Sequence, residues 1–243
     1  MKEKDIQWHI GCSGFHYSEW KGSFYPEGLP ANKWFGYYTS QFNTLESNMT
    51  FYRLPLLSTL LKWHDESPAD FSFSVKAPKL VTHIKRMQDV AAELEVFYDR
   101  MHKGLQEKLA CVLFQLPPSY SCTPERLADI VSALNPAFNN VVEFRHTSWW
   151  TKEVYQQLKK NKITFCNYSH PKFTDDIVPA SPRFYFRFHG APVIYRSAYS
   201  HQYLNSIIEK IKADKKITKV YLYFNNTAGP AAIENARYIQ NKL

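Results

Sequence analysis

The chain has no run of apolar residues near the ~18 that a membrane span requires, and its opening "MKEKDIQW" carries no apolar stretch of signal-peptide type. A soluble, cytoplasmic protein without membrane contact is therefore expected. Cysteine is scarce: Cys12, Cys111, Cys122 and Cys166 lie far apart with no C-x-x-C among them. That excludes a disulfide framework and a cysteine-rich zinc site, and predicts four reduced thiols, most of them buried. There is no H-E-x-x-H or other dense ligand motif, so no cofactor is indicated. A divalent-metal site drawn from Glu46, Glu143, His83, His146 or His189 is allowed only by ligand chemistry. Repeats, low-complexity tracts and Gly- or Ser-rich linkers are also missing, which makes a single domain over residues 1–243 the economical expectation.

What is present is a large apolar supply, 44% hydrophobic with 16% aromatic, ample for a core at 243 residues. Thirty basic residues against 22 acidic ones give a net charge of +8, which suits an anionic partner, either a small molecule or nucleic acid. Much of that excess sits in "KKNK" (159–162) and "KIKADKK" (210–216), placed as solvated helix ends.

Eight short apolar or alternating runs read as strands, at 8–13, 44–50, 71–77, 110–116, 141–146, 163–168, 184–189 and 219–226. Between them come helical patterns at 31–41, 57–66, 90–104, 124–134, 152–160 and 201–213, with a last one from Ala231. Thr123 followed by Pro124 supplies an N-cap and a first-turn proline. Strand and helix alternate with the size and rhythm of an α/β (β/α)8 TIM-like barrel. The prolines of "SHPKFTDDIVPASP" (169–182) predict a degenerate sixth helix, the one after the sixth strand. A doubly wound open sheet is the competing fold, but the glycines of "GCSGFHYSEWKG" have the wrong spacing for its phosphate loop.

Alternation along each strand separates two faces. One is apolar and predicted to meet the helices: Ile10, Leu45, Phe73, Val75, Phe114, Val142, Phe144, Phe186, Phe188, Leu222 and Phe224. The other is polar: Gly11 and Ser13; Glu46 and Asn48; Ser74 and Lys76; Gln115; Glu143 and Arg145; Arg187 and His189; Tyr223 and Asn225. Strand six offers Asn167 or Tyr168 without deciding between them. Polar residues gathered at strand C-terminal ends mark the end where barrels of this type hold their sites.

Within this set Lys76, Arg145 and Arg187 suit a phosphate or carboxylate, with Ser13, Asn48, Gln115 and Asn225 as further ligand-binding candidates. Glu46 and Glu143 are candidate general bases and His189 a candidate acid or proton shuttle. The same charges can instead pair with one another and hold the strands in register, and two carboxylates also allow glycoside chemistry. Phe15, His16, Tyr17, Trp20, Phe24 and Tyr25 in the first loop either stack on a base or sugar or pack as a lid.

The segments "GCSGFHYSEWKGSFYP", "FNTLESNMTFYRLP", "FSFSVKAPKLVTH", "LFQLPPS", "VVEFRHTSW", "FYFRFHG" and "YLYFNN" resemble, in order, the signature segments of the YecE-like family, also called domain of unknown function 72. The resemblance spans nearly the whole chain and implies a TIM-like barrel and a prokaryotic cytoplasmic protein, but no established reaction. By motif it points to Ser13, Glu46, Asn48, Lys76, His83, Gln115, Glu143, Arg145, His146, Arg187, His189 and Asn225. Cys12 and Phe15 stand where the family more often shows Thr and Trp.

Three functions compete on these residues. One is an enzyme, a hydrolase or a lyase or isomerase, acting on an anionic small molecule. A second is a phosphodiesterase-like nucleic-acid-binding barrel. The third is a protein that binds its ligand without transforming it.

Overall fold

The computed structural model describes residues 6–173, 176–178 and 182–243. Eight strands alternate with helices: β1 (Gln7–Cys12), β2 (Thr44–Ser47), β3 (Ser72–Lys76), β4 (Leu109–Gln115), β5 (Asn140–Glu143), β6 (Thr164–Ser169), β7 (Arg183–Phe188) and β8 (Lys219–Phe224). The helices are α1 (Trp34–Gln41), α2 (Met49–Tyr52), α3 (Leu57–Glu66), α4 (Ala91–Leu105), α5 (Pro124–Ala133), α6 (Lys152–Lys160), α7 (His201–Ala213) and α8 (Ala231–Lys242). The strand order is β1-β8-β7-β6-β5-β4-β3-β2, and a parallel bridge between Ser13 and Glu46 joins its two ends. This is the (β/α)8 arrangement that the alternation predicts. Among the described residues no helix is long and apolar enough to cross a membrane.

Local chemistry accounts for the helix starts. Thr123 accepts from the Arg126 amide at 3.2 Å, with Pro124 in the first turn, and Ser200 accepts from the Tyr203 amide at 3.2 Å. The lysine runs fall where expected: Lys159 and Lys160 close α6, Lys210 and Lys212 close α7, and all are exposed. Cations there complement the negative end of the helix dipole. The short turn expected after β6 falls partly on 174, 175 and 179–181, which lie outside the described residues; 171–173 form a turn.

Contacts divide the chain into two compact units, residues 1–46 with 167–243, and residues 47–166. In the first, the apolar residues of β7 and β8 pack as aromatic layers: Phe188 lies 4.4 Å from Phe224 and 4.5 Å from Phe186. All eleven residues assigned to the helix-facing side are buried. Trp20 and Tyr25 are fully enclosed; Trp20 Nε1 donates to the Gly229 carbonyl at 3.0 Å and Tyr25 stacks on Trp34 at 4.7 Å. The first loop is thus a packed lid, and its largest rings are not offered to a base.

Gly11 permits the close approach of β1 to β2. A Cβ there would stand 2.1 Å from the Thr44 carbonyl oxygen and 2.8 Å from the Tyr38 hydroxyl, which itself accepts from the Cys12 amide. Backbone cannot yield as a side-chain tip does. Gly11→Ala should therefore destabilise by about 1–3 kcal/mol. An unchanged thermal midpoint would show that the two strands are less tightly held than this geometry requires.

In the second unit Gly104 serves the same purpose for helices, bringing α4 against Leu60 of α3, whose Cβ a substituent would meet at 2.3 Å. β3, β4 and β5 pair in parallel, with Lys76 opposite Leu113 and Gln115 opposite Glu143. Three adjacent strands therefore end side by side on polar residues. All four cysteines are free; three are buried and Cys122 is half-buried. Burial pushes the Cys12 thiol far above its ordinary range, which makes it inert.

Candidate functional site

In the first unit Glu46 is fully buried, and four hydrogen bonds converge on its carboxylate. Ser13 Oγ donates to Oε1 at 2.6 Å, Arg187 Nη2 and Nε donate to the same oxygen at 2.7 and 3.1 Å, and the Tyr185 hydroxyl donates to Oε2 at 2.6 Å. Arg187 is only 2% exposed. This is a held ion pair of the kind that fixes strand register, and it occupies the forked donors an anion would otherwise use. Tyr185 was absent from the sequence-derived site, although alternation along β7 placed it on the same face as Arg187.

His189 follows β7 and is fully buried. Its amide donates to the Ser169 carbonyl at 3.1 Å, and its Nδ1 lies 2.9 Å from Asn225 Nδ2. An amide nitrogen can only donate, so Nδ1 is the accepting atom of this contact. Tyr168 packs edge-on against it at 5.8 Å. The ambiguity in strand six resolves accordingly: Tyr168 shares the face of Cys166, whereas Asn167 points the other way and holds Val178 by its amide at 2.6 Å and its carbonyl at 3.1 Å.

In the second unit Arg145 Nε donates to Glu143 Oε1, and the Cys166 thiol lies 3.7 Å from Oε2. Glu143 is fully enclosed and the Arg145 side chain is 11% exposed. Lys76 Nζ donates to Gln115 Oε1 at 2.9 Å and sits 4.0 Å from the centre of the Phe51 ring. His83, on the single π-helical turn Leu80–Ile84, contacts Thr82 Oγ1 through Nδ1 at 2.9 Å and Phe51 edge-on at 5.1 Å. Burial, reinforced by the positive charges of Lys76, Lys79 and Arg145, lowers its pKa from 6.5 to about 4. The imidazole is therefore neutral at physiological pH and sits in a cationic surround.

Asn48 does not continue β2 as alternation suggested. The strand ends at Ser47, and Asn48 adopts a helical conformation at the start of α2, with its Oδ1 buried and without a hydrogen-bond partner among the described residues. Asparagine favours such turns and caps, and the short α2 then brings Thr50 Oγ1 to the Lys76 carbonyl at 2.6 Å. His146 caps the turn Thr147–Trp149, accepting from the Ser148 amide at 3.2 Å, and so has a structural task. Among the described residues no group of three or more His, Cys, Asp or Glu side chains is arranged to hold a metal ion.

Taken with the strand order, these ion pairs at strand C-terminal ends define an α/β protein of the TIM-barrel type with charged residues buried at its polar face. The chain belongs to the family described as "Protein of unknown function DUF72", whose model matches residues 9–243. It is similar to the UPF0759 protein YunF of Bacillus subtilis, 26% identical over 97% of this chain and 94% of that one. It also resembles the UPF0759 protein YecE of Escherichia coli, 29% identical over 49% of this chain and 44% of that one. A crystal structure of a DUF72 family protein from Thermotoga maritima superimposes with a TM-score of 0.85 at 28% identity, covering 96% of this chain and 98% of that one. One from Enterococcus faecalis reaches 0.77 at 21% identity, over 96% and 94%.

Proposed function

We propose that the protein binds a phosphate- or carboxylate-bearing small molecule at the strand ends of residues 47–166, with Lys76 and Arg145 as its cations. The observation that carries this reading is the run of Lys76, Gln115 and the Glu143–Arg145 pair along the ends of the adjacent strands β3, β4 and β5. The two carboxylates of the polar face are each matched by an arginine, Glu46 by Arg187 and Glu143 by Arg145. Lys76 adds a further cation at the end of β3, donating to Gln115 Oε1 at 2.9 Å. Asn48 Oδ1, buried without a partner among the described residues, adds an acceptor suited to a ligand hydroxyl or amine.

For proton transfer Glu143 is assigned as the base. Glu46 is assigned the positioning of Arg187, because its oxygens already accept four donors. Arg187 correspondingly leaves the set of anion ligands. Calorimetry with inorganic phosphate tests the reading. A charge-assisted hydrogen bond contributes roughly 1.5–3 kcal/mol, so Lys76→Ala should weaken binding about 10- to 150-fold, with cooperative unfolding retained. Equal affinity in wild type and variant would remove Lys76 from the site.

A further inference from the structure

An apolar groove of about 600 Å³ is lined by Phe51, the residue whose ring Lys76 Nζ rests on, and is walled by α2, the turn around Leu80 and Ile84, and α4. We infer that this groove takes the hydrocarbon tail of an amphipathic anion whose carboxylate or phosphate head is held by Lys76. The inference rests on the anion reading above and specifies its ligand class.

Three observations join the groove to the cations. Phe51 belongs to both, since its ring lines the groove while Lys76 Nζ lies 4.0 Å from its centre and the His83 ring 5.1 Å away. Next, Arg53 and Lys79 line the groove beside apolar walls, and its single acid, Glu93, is bound to Lys85 at 2.6 Å. That rim suits a negative head and disfavours a positive one. Finally, the exposed apolar side chains of the chain concentrate here: Tyr52 is 80% exposed, Ile84 65% and Val96 54%. Side chains left in water on three separate elements around one concavity form an apolar lining that a tail would cover. The volume falls within the ~300–1,000 Å³ range of small-molecule sites, which favours a single chain over a folded partner.

The test is a calorimetric series of acetate, hexanoate, octanoate, decanoate and dodecanoate below their micellar concentrations, with dodecyl phosphate and dodecyltrimethylammonium alongside. Each methylene that leaves water should tighten binding about three- to fourfold until the groove is filled. Val96→Asp should flatten the series towards acetate without weakening acetate itself, whereas Lys76→Ala should weaken every carboxylate by a common factor. Should Val96→Asp unfold, Ile84→Asn at the opposite wall gives the same readout. A gain for dodecyl phosphate over inorganic phosphate as large as that of dodecanoate over acetate identifies the tail rather than one head as the shared determinant.

Other results overturn the inference and separate it from the reading beneath it. Acetate and phosphate binding that depends on Lys76 but shows no chain-length dependence would remove the tail and leave the anion site. Dodecyltrimethylammonium binding as tightly as dodecanoate would remove the head from tail recognition. Dissociation of a dimer by Val96→Asp, with dodecanoate affinity unchanged, would assign the groove to a second copy of the chain. If no anion, short or long, binds in a Lys76-dependent way, both statements fall together.

Discussion

Glu46→Ala is expected to lower the free energy of unfolding by about 3–5 kcal/mol, a fall in thermal midpoint of roughly 6–20 °C for a chain of this size. The reason is what remains behind. Arg187, only 2% exposed, loses the carboxylate that accepts from its Nε and Nη2, while Ser13 and Tyr185 lose the acceptor of their hydroxyl protons. A buried charge deprived of its partner is far more costly than the pair is favourable, because desolvation of both ions offsets most of their attraction. The double variant Glu46→Leu with Arg187→Met should consequently recover most of the loss. Urea unfolding of both single variants and the double one measures this directly. A Glu46→Ala penalty under 1 kcal/mol, or a double variant as unstable as the sum of the singles, would mean that the pair does not hold β2 and β7 in register.

This pair also marks how far the sequence could be read. Its two residues were both legible as members of the polar face, because alternation along "TLES" and "RFYFRFHG" needs only local geometry. That they meet one another, 141 positions apart, is a tertiary fact that no period encodes. The apolar face fared better for the same reason: Phe186, Phe188 and Phe224 have no alternative to burial, whereas an arginine can face water, an anion or a glutamate. Strand ends slipped where a side chain competes with the ladder. Asn48 turned the chain into α2 two residues before the expected strand end at Thr50, a change that alternation over four residues is too short to register. Likewise the groove around Val96 was invisible, since its lining comes from elements nearly fifty residues apart that are each unremarkable amphipathic or turn sequence. Tyr185 shows the opposite failure: the pattern put it on the right face, but a tyrosine among arginines reads as packing until its hydroxyl is seen on Glu46.

Sulfate binding should raise the pKa of His83 from about 4 by roughly one to two units, as an opposite charge within a few ångströms does. Burial is the largest single cause of the present depression, and an anion leaves that part in place; it offsets only the contribution of Lys76, Lys79 and Arg145. The sign follows from linkage. If the ligand raises a proton affinity, the proton raises ligand affinity by the same factor, so sulfate should bind more tightly as the pH falls from about 7 towards 4.5. A bound value between 5 and 6 would give a gain on the order of 3- to 25-fold over that interval. Sulfate is the suitable probe because, unlike phosphate, it keeps one charge state across it. The same shift bears on stability: a histidine depressed in the folded state favours folding above its ordinary value of 6.5, and that contribution is lost as the pH falls towards 4, so sulfate should also broaden the acid limit of the fold. The His83 ring signals followed by NMR through a pH titration, with and without sulfate, give the free and bound values. His83→Gln should keep sulfate binding at pH 7 and lose its dependence on pH. Identical titration curves in the two conditions, with sulfate bound, would place the anion away from His83 and from the strand ends of Lys76 and Arg145.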